Sequence, residues 1–279
     1  MSSVGHLEVG RDRFPVAIQG EGRPILFVHG APGDWRTFAP HAALLADKFR
    51  CITYTQRWFG AEEWREDGPP FGTGFHTDDL IALAETLGGE PPVLVAWSYG
   101  AHVAFTAALV RPDLFSALLA YEPGFGTFIT EPVLLSQYLK DVREAWGPAF
   151  AARERGDSFG VAKAMWEASA GEGSYSALND EQRAIVEDSQ PALMRMLDQQ
   201  PPVAINCQEL NQMKIPATIA VGARTRPCYE IPSRAAAACI NCDLFEIEDE
   251  GHLWPVENPA GFTRVIDQWL TWLEQAGTI

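Results

Sequence analysis

Short apolar runs alternate with helical stretches along most of this chain, and that alternation constrains the fold more than any other feature. Pro24-Ile25-Leu26-Phe27-Val28 is a continuous apolar run that ends at His29-Gly30. A run without polar alternation suits a strand buried on both faces of a parallel sheet. A helix is expected over about 35–48, a strand over 50–54, and a helix over 78–87. A strand over 93–96 leads into an Ala-rich helix over 99–110, which Arg111-Pro112 ends, and 118–121 is again a strand. Strand and helix in turn argue for an α/β fold, a parallel sheet covered on both faces.

The alternation stops between about 125 and 212. Leu134, Tyr138, Val142 and Trp146 recur along one helical face, and Phe159, Ala162, Met165 and Trp166 form a second stripe. Asn179 with Gln182 has the spacing of a capping box, and Pro191 should break or kink the helix that follows. The alternation resumes with a strand over 217–221, a helix over about 231–238, a strand over 244–247 and an amphipathic helix over 262–273. We therefore expect a core domain from 1–124 and 213–279, with 125–212 inserted as a helical cap.

Apolar residues make up 47% of the 279, ample for a large core. No apolar run reaches the roughly 18–20 residues of a membrane-spanning helix. The start, Met1-Ser2-Ser3-Val4-Gly5-His6, lacks the basic and apolar parts of a secretory signal, so the cytoplasm is the expected compartment. A formal charge of −16 disfavours nucleic acid and anionic membranes as partners and fits a neutral substrate better than a polyanion. A homodimer is compatible with the sequence. The five cysteines, Cys51, Cys207, Cys228, Cys239 and Cys242, are odd in number, which points to reduced, structural thiols. Cys239 and Cys242 have C-x-x-C spacing, but no second pair with metal-ligand spacing accompanies them. No phosphate-binding glycine loop or dinucleotide fingerprint occurs, so neither a cofactor nor a metal is expected.

Three loops carry chemistry. Ala96-Trp97-Ser98-Tyr99-Gly100 joins a strand to a helix, where a nucleophile elbow belongs, with Ala96 in place of the usual first glycine. A serine there can also merely cap the helix. His29-Gly30-Ala31-Pro32-Gly33 follows an earlier strand and can aim a backbone N–H at an oxyanion. Ala31 and Tyr99 are the expected donors. His29 belongs to the turn of that loop and is read as structural. Glu250-Gly251-His252 follows the last strand, and His252 is the expected base for Ser98. His102, one helical turn past the elbow, points along its helix and not across the site.

The acid is less direct. In the loop after strand 217–221, Thr225 stands where an aspartate is usual. Glu122 lies at the C-terminal end of the preceding strand, the edge at which parallel-sheet sites form. Glu122 is the first candidate, with Glu230 and Asp249 as alternatives. Arg57, in Gln56-Arg57-Trp58, is read as structural.

With these motifs in order, the whole chain resembles the α/β-hydrolase superfamily. The resemblance implies the α/β-hydrolase fold: a mostly parallel eight-stranded sheet with helices on both faces and an inserted helical cap. Glu122 after the sixth strand, a threonine in the Gly222-Ala223 loop and an aromatic after His252 are similar to the zearalenone lactonases. Some haloalkane dehalogenases place their acid in the same way. Those enzymes and epoxide hydrolases need an aspartate at the elbow, which Ser98 excludes.

Nine tryptophans are present. Trp97, Trp254, Trp146 and Trp166, with Tyr175, are expected to line an apolar substrate pocket, although cap aromatics also serve simply to bury a cap on its core. The expected activity is serine-dependent hydrolysis of a hydrophobic, uncharged carboxylic ester or lactone. Carbon–carbon bond hydrolysis, cofactor-free peroxidation and a ligand-binding receptor on the same fold are the alternatives.

Overall fold

The computed structural model describes residues 4–279; the first residues of the N-terminal stretch read above as leaderless, 1–3, lie outside the described residues. The chain forms one eight-stranded sheet in the order β1-β2-β4-β3-β5-β6-β7-β8. The strands are β1 (Gly5–Val9), β2 (Asp12–Gln19), β3 (Pro24–Val28), β4 (Arg50–Tyr54), β5 (Val93–Trp97), β6 (Ala117–Tyr121), β7 (Ala217–Gly222) and β8 (Leu244–Ile247). β1 and β2 form an antiparallel hairpin, and β2 pairs antiparallel with β4. Every pairing from β4 through β3, β5, β6 and β7 to β8 is parallel. All residues of β3, β5 and β6 are buried, as continuous apolar runs predict.

The helices are α1 (Ala39–Leu45), α2 (Thr73–Leu87), α3 (Tyr99–Val110), α4 (Pro132–Glu154), α5 (Ser158–Ala170), α6 (Asp180–Asp188), α7 (Gln190–Asp198), α8 (Cys207–Leu210), α9 (Pro227–Ile240), α10 (Trp254–Glu257) and α11 (Pro259–Gln275). α3 and β8 fall where expected. Between β6 and β7 lie α4 to α8 and their connecting loops, without a strand. Asn179 and Gln182 close a capping box on α6, and Pro191 enters the first turn of α7, so the chain breaks between these helices.

Several features depart from the sequence reading: β1 and β2 have no counterpart among the strands read from local pattern, and α2 starts at Thr73 rather than 78. α9 starts at Pro227 rather than near 231, because Pro227 occupies the first helical turn while Pro232 sits inside the helix and obscured its start. Cys207 and Cys239 form a disulfide, with Cα atoms 5.0 Å apart, which corrects the expectation of reduced thiols. The partner of Cys239 lies 32 residues upstream, where α8 packs against α9, and not in the C-x-x-C pair. Cys242 stays free beyond the left-handed residue Asn241 that ends α9. No helix among the described residues is long and apolar enough to cross a membrane.

Candidate active site

Three strand ends on the C-terminal edge of the sheet meet at one point. After β5 the chain turns at Ser98, whose φ of 54° lies in the left-handed region, and enters α3 directly. The turn is tight. A Cβ on Gly100 would stand 2.4 Å from the carbonyl oxygen of His29 and 2.5 Å from that of Val28, so only glycine fits. Ala96, by contrast, is fully buried within β5 and needs no such freedom.

After β8 the chain reaches His252, which is 3% exposed. Its Nδ1–H donates to Glu122 Oε2 at 2.6 Å, and Ser98 Oγ–H donates to its Nε2 at 3.0 Å. A carboxylate only accepts, so it fixes the proton on Nδ1 and leaves Nε2 as the acceptor facing Ser98. Glu122 stands just past β6, fully buried, with a φ of 45°. A non-glycine residue in that region is strained, and such strain collects at functional sites. Its Oε1 accepts from the N–H of Gly222 at 2.8 Å, and its Oε2 accepts from Thr225 Oγ1 at 2.9 Å. The threonine in the usual acid position thus donates to the carboxylate that approaches from β6.

The other acid candidates lie elsewhere. Glu230 pairs with Arg234 at 2.9 Å on the exposed side of α9, and Asp249 pairs with exposed Arg224. His29 Nε2 accepts from the Gln56 N–H at 3.0 Å, while its Nδ1–H donates to the Gly30 carbonyl at 2.7 Å. Burial pushes its pKa down to about 4, so it stays neutral as a loop support. His102 donates to the Val203 carbonyl at 2.8 Å, one helical turn beyond Ser98. Arg57 is buried between Asp79, which it grips with two hydrogen bonds, and Asp12.

Tyr99 opens α3, so its N–H has no partner within the helix. Among the described residues neither that N–H nor the N–H of Ala31 is engaged by another protein group. A Cβ on Gly30 would lie 3.0 Å from Ser98 Cβ, which places the loop after β3 directly against the nucleophile. Two free donors beside a serine oxygen can receive a developing oxyanion.

The expected aromatic lining divides. Trp97 packs 5.5 Å from the His252 ring and its Nε1–H donates to the His252 carbonyl at 3.0 Å. Trp166 and Pro32 share the wall of a cavity of about 290 Å³ with Pro255 and Ile185. Trp146 packs at the margin of the cluster that contains Tyr229. The two remaining rings pack against other aromatics. Trp254 is buried edge-on against Tyr121 and Phe262, and Tyr175 stands edge-on to Phe159 with its hydroxyl on Glu187. Both rings are buried. The sequence reading also missed Tyr229, whose ring lies flat on His252.

A doubly wound, mostly parallel sheet with a serine on the elbow, a histidine after the last strand and a buried carboxylate beside it defines a hydrolase class. The chain belongs to the alpha/beta hydrolase family, whose model matches residues 25–265. It is similar to a Mycobacterium tuberculosis protein whose name places it among the non-heme bromoperoxidases, 40% identical over 100 residues, which cover 35% of this chain and 37% of that protein. It is also similar to 2-(acetamidomethylene)succinate hydrolase of Mesorhizobium japonicum, 32% identical over 116 residues, covering 42% of this chain and 41% of that enzyme. The match spans only about two fifths of these relatives. The enol-lactonase of Burkholderia xenovorans superposes over 96% of this chain and 100% of its own, with a TM-score of 0.77 and 18% identity, a likeness of fold.

Proposed function

We propose that this chain is a serine hydrolase that cleaves a carboxylic ester or lactone of a hydrophobic, uncharged substrate. Ser98 is the nucleophile, His252 the base, Glu122 the acid that orients it, and the N–H groups of Ala31 and Tyr99 the oxyanion hole. The observation that carries this reading is the unbroken hydrogen-bonded line from Ser98 Oγ through His252 to Glu122. In it, His252 takes the serine proton as Ser98 attacks the carbonyl, then returns it to the leaving oxygen. In a lactone that oxygen stays attached to the acyl chain. Water then attacks the acyl-enzyme by the same route, and Ser98 is regenerated.

Residues 125–212 form the cap in this reading. Ser98 is 7% exposed, and Trp166 in α5 lines the 290 Å³ cavity beside Pro32, the neighbour of Ala31. Prolines, Trp166 and Ile185 give that wall apolar surface for a hydrophobic substrate, and the carboxylates Glu181 and Glu257 on it disfavour an anionic one. Arg36, the cation on that wall, is already paired with Asp34 and Asp188. The test is turnover of a panel of short p-nitrophenyl esters and aliphatic and aromatic lactones. Hydrolysis of at least one class, absent in Ser98→Ala, is expected. Turnover that persists in Ser98→Ala would remove the reading.

A further inference from the structure

Tyr229 has no part in the chemistry above, yet it makes the closest ring contact in the site. It lies in the first turn of α9, with its ring centroid 3.5 Å from that of His252 and the two planes 5° from parallel. The other aromatic pairs among the described residues meet tilted or edge-on, the nearest at 4.8 Å. Two neutral rings avoid a face-to-face arrangement because their negative faces repel. A cation over the same face is attracted. The arrangement therefore suits an imidazolium, which His252 becomes when it takes the Ser98 proton.

The ring is also held in place. Tyr229 is 2% exposed, and its hydroxyl shares a hydrogen bond of 2.9 Å with Ser169 Oγ of α5. Ser233 Oγ donates to the Tyr229 carbonyl at 2.7 Å, bracing the turn around Pro232. Burial holds the phenol well above its usual pKa, so it remains an uncharged hydroxyl.

We propose that Tyr229 is a positioning residue for His252, its ring face keeping the imidazole in the plane that joins Glu122 to Ser98 and stabilising the protonated form. The proposal rests on the serine-hydrolase reading of Ser98 and His252. The groups around the imidazole are Glu122 from the end of β6, Ser98 from the start of α3, and Trp97 from β5. Tyr121 donates its hydroxyl to the Gly251 carbonyl at 2.5 Å, and Glu250, in the histidine's own loop, is bonded by Asn258. Next to Tyr229 lie Cys228 and the Arg226–Asp141 pair. Glu122 is the charged group that bonds the ring directly, and it is unchanged in every variant below.

The experiment is the rate at which a fluorophosphonate labels Ser98, read by intact mass as a function of pH. In that step the Ser98 oxygen bonds to phosphorus, the phosphorus–fluorine bond breaks, fluoride leaves and the serine proton passes to His252. No natural substrate is needed. Labelling rises with pH as His252 loses its proton. Tyr229→Phe keeps the ring and should keep the midpoint of that rise. Phenylalanines of increasing ring fluorination at position 229 keep the shape while weakening the negative face. They should lower the midpoint stepwise, by about half a pH unit to one unit in the most fluorinated ring. Tyr229→Leu should shift it the same way and slow the plateau severalfold. A midpoint that stays fixed across the fluorinated series overturns the proposal. A native chain that is not labelled on Ser98 at any pH overturns the serine-hydrolase reading and this proposal with it.

Discussion

At the residue scale, the site turns on one exchange of roles between two positions. Thr225 occupies the loop in which a carboxylate was first sought, and Glu122 supplies the carboxylate from the neighbouring strand end. The sequence pointed to Glu122 through an absence, the missing acid at 225, and through its place on the C-terminal edge. It could not reveal that Thr225 would then donate to Glu122, because that contact joins residues 103 positions apart. Under the proposed mechanism Glu122→Gln keeps the size of the side chain but removes the charge that stabilises the imidazolium. A kcat loss of up to ~10⁴ is expected, with thermal stability little changed. Thr225→Val removes one hydrogen bond to a charged group and should cost about 1.5–3 kcal/mol of folding stability, with a kcat loss well below that of Glu122→Gln. Glu230→Gln and Asp249→Asn, each confined to an exposed ion pair, should leave kcat within about twofold. Steady-state kinetics on one ester would rank the variants, and a loss in Asp249→Asn equal to that in Glu122→Gln would refute the assignment.

At the element scale, legibility followed the strength of the local signal. β3, β5 and β6 were readable because burial on both faces demands unbroken apolar runs. The β1–β2 hairpin was not, because β1 lies on the edge, and His6 and Glu8 interrupt its apolar content. Tyr229 was missed for a related reason. Pro232 hid the true start of α9, so a residue of the first helical turn read as loop. The Cys207–Cys239 bond shows a different limit, since an odd cysteine count still leaves room for one pair. This disulfide closes a loop across 32 residues and ties α8, at the end of the inserted helices, to α9. Unfolded without reductant, the chain should expose only the thiols of Cys51, Cys228 and Cys242 to a thiol reagent. Cys207→Ala with Cys239→Ala should lower unfolding stability by about 2–4 kcal/mol. Titration of all five cysteines in the unreduced chain would contradict the bond.

At the scale of the whole molecule, buried histidines link the fold to pH. Burial lowers the pKa of His29 and His102 to about 4, and that of His41 and His76 to about 3. In the unfolded chain each returns to about 6.5. The unfolded state therefore binds more protons below pH 6.5, so stability falls as pH falls through the window from about 6.5 to about 4. Each of these histidines costs about 1.4 kcal/mol per pH unit there. Tm should be flat above pH 7 and drop steeply below pH 6, and a flat Tm down to pH 4.5 would show that these side chains are not buried and neutral. The parallel α/β class and the order of the three motif-bearing loops were legible because both follow from local patterns laid along the chain, whereas the strand order, with β4 outside β3, is a matter of tertiary pairing that no local pattern carries. The walls of a substrate pocket depend on tertiary packing. Trp254 and Tyr175 are buried as expected of large aromatics, but burial alone does not say which cavity a ring faces. The account as a whole requires that Ser98 carry the acyl group. Rapid quenching of a reaction with a short p-nitrophenyl ester, followed by peptide mass mapping, should find the acyl mass on the peptide containing Ser98, and none in Ser98→Ala. An ester that is turned over with the acyl group on another residue, or with none on Ser98 during a pre-steady-state burst, would contradict it.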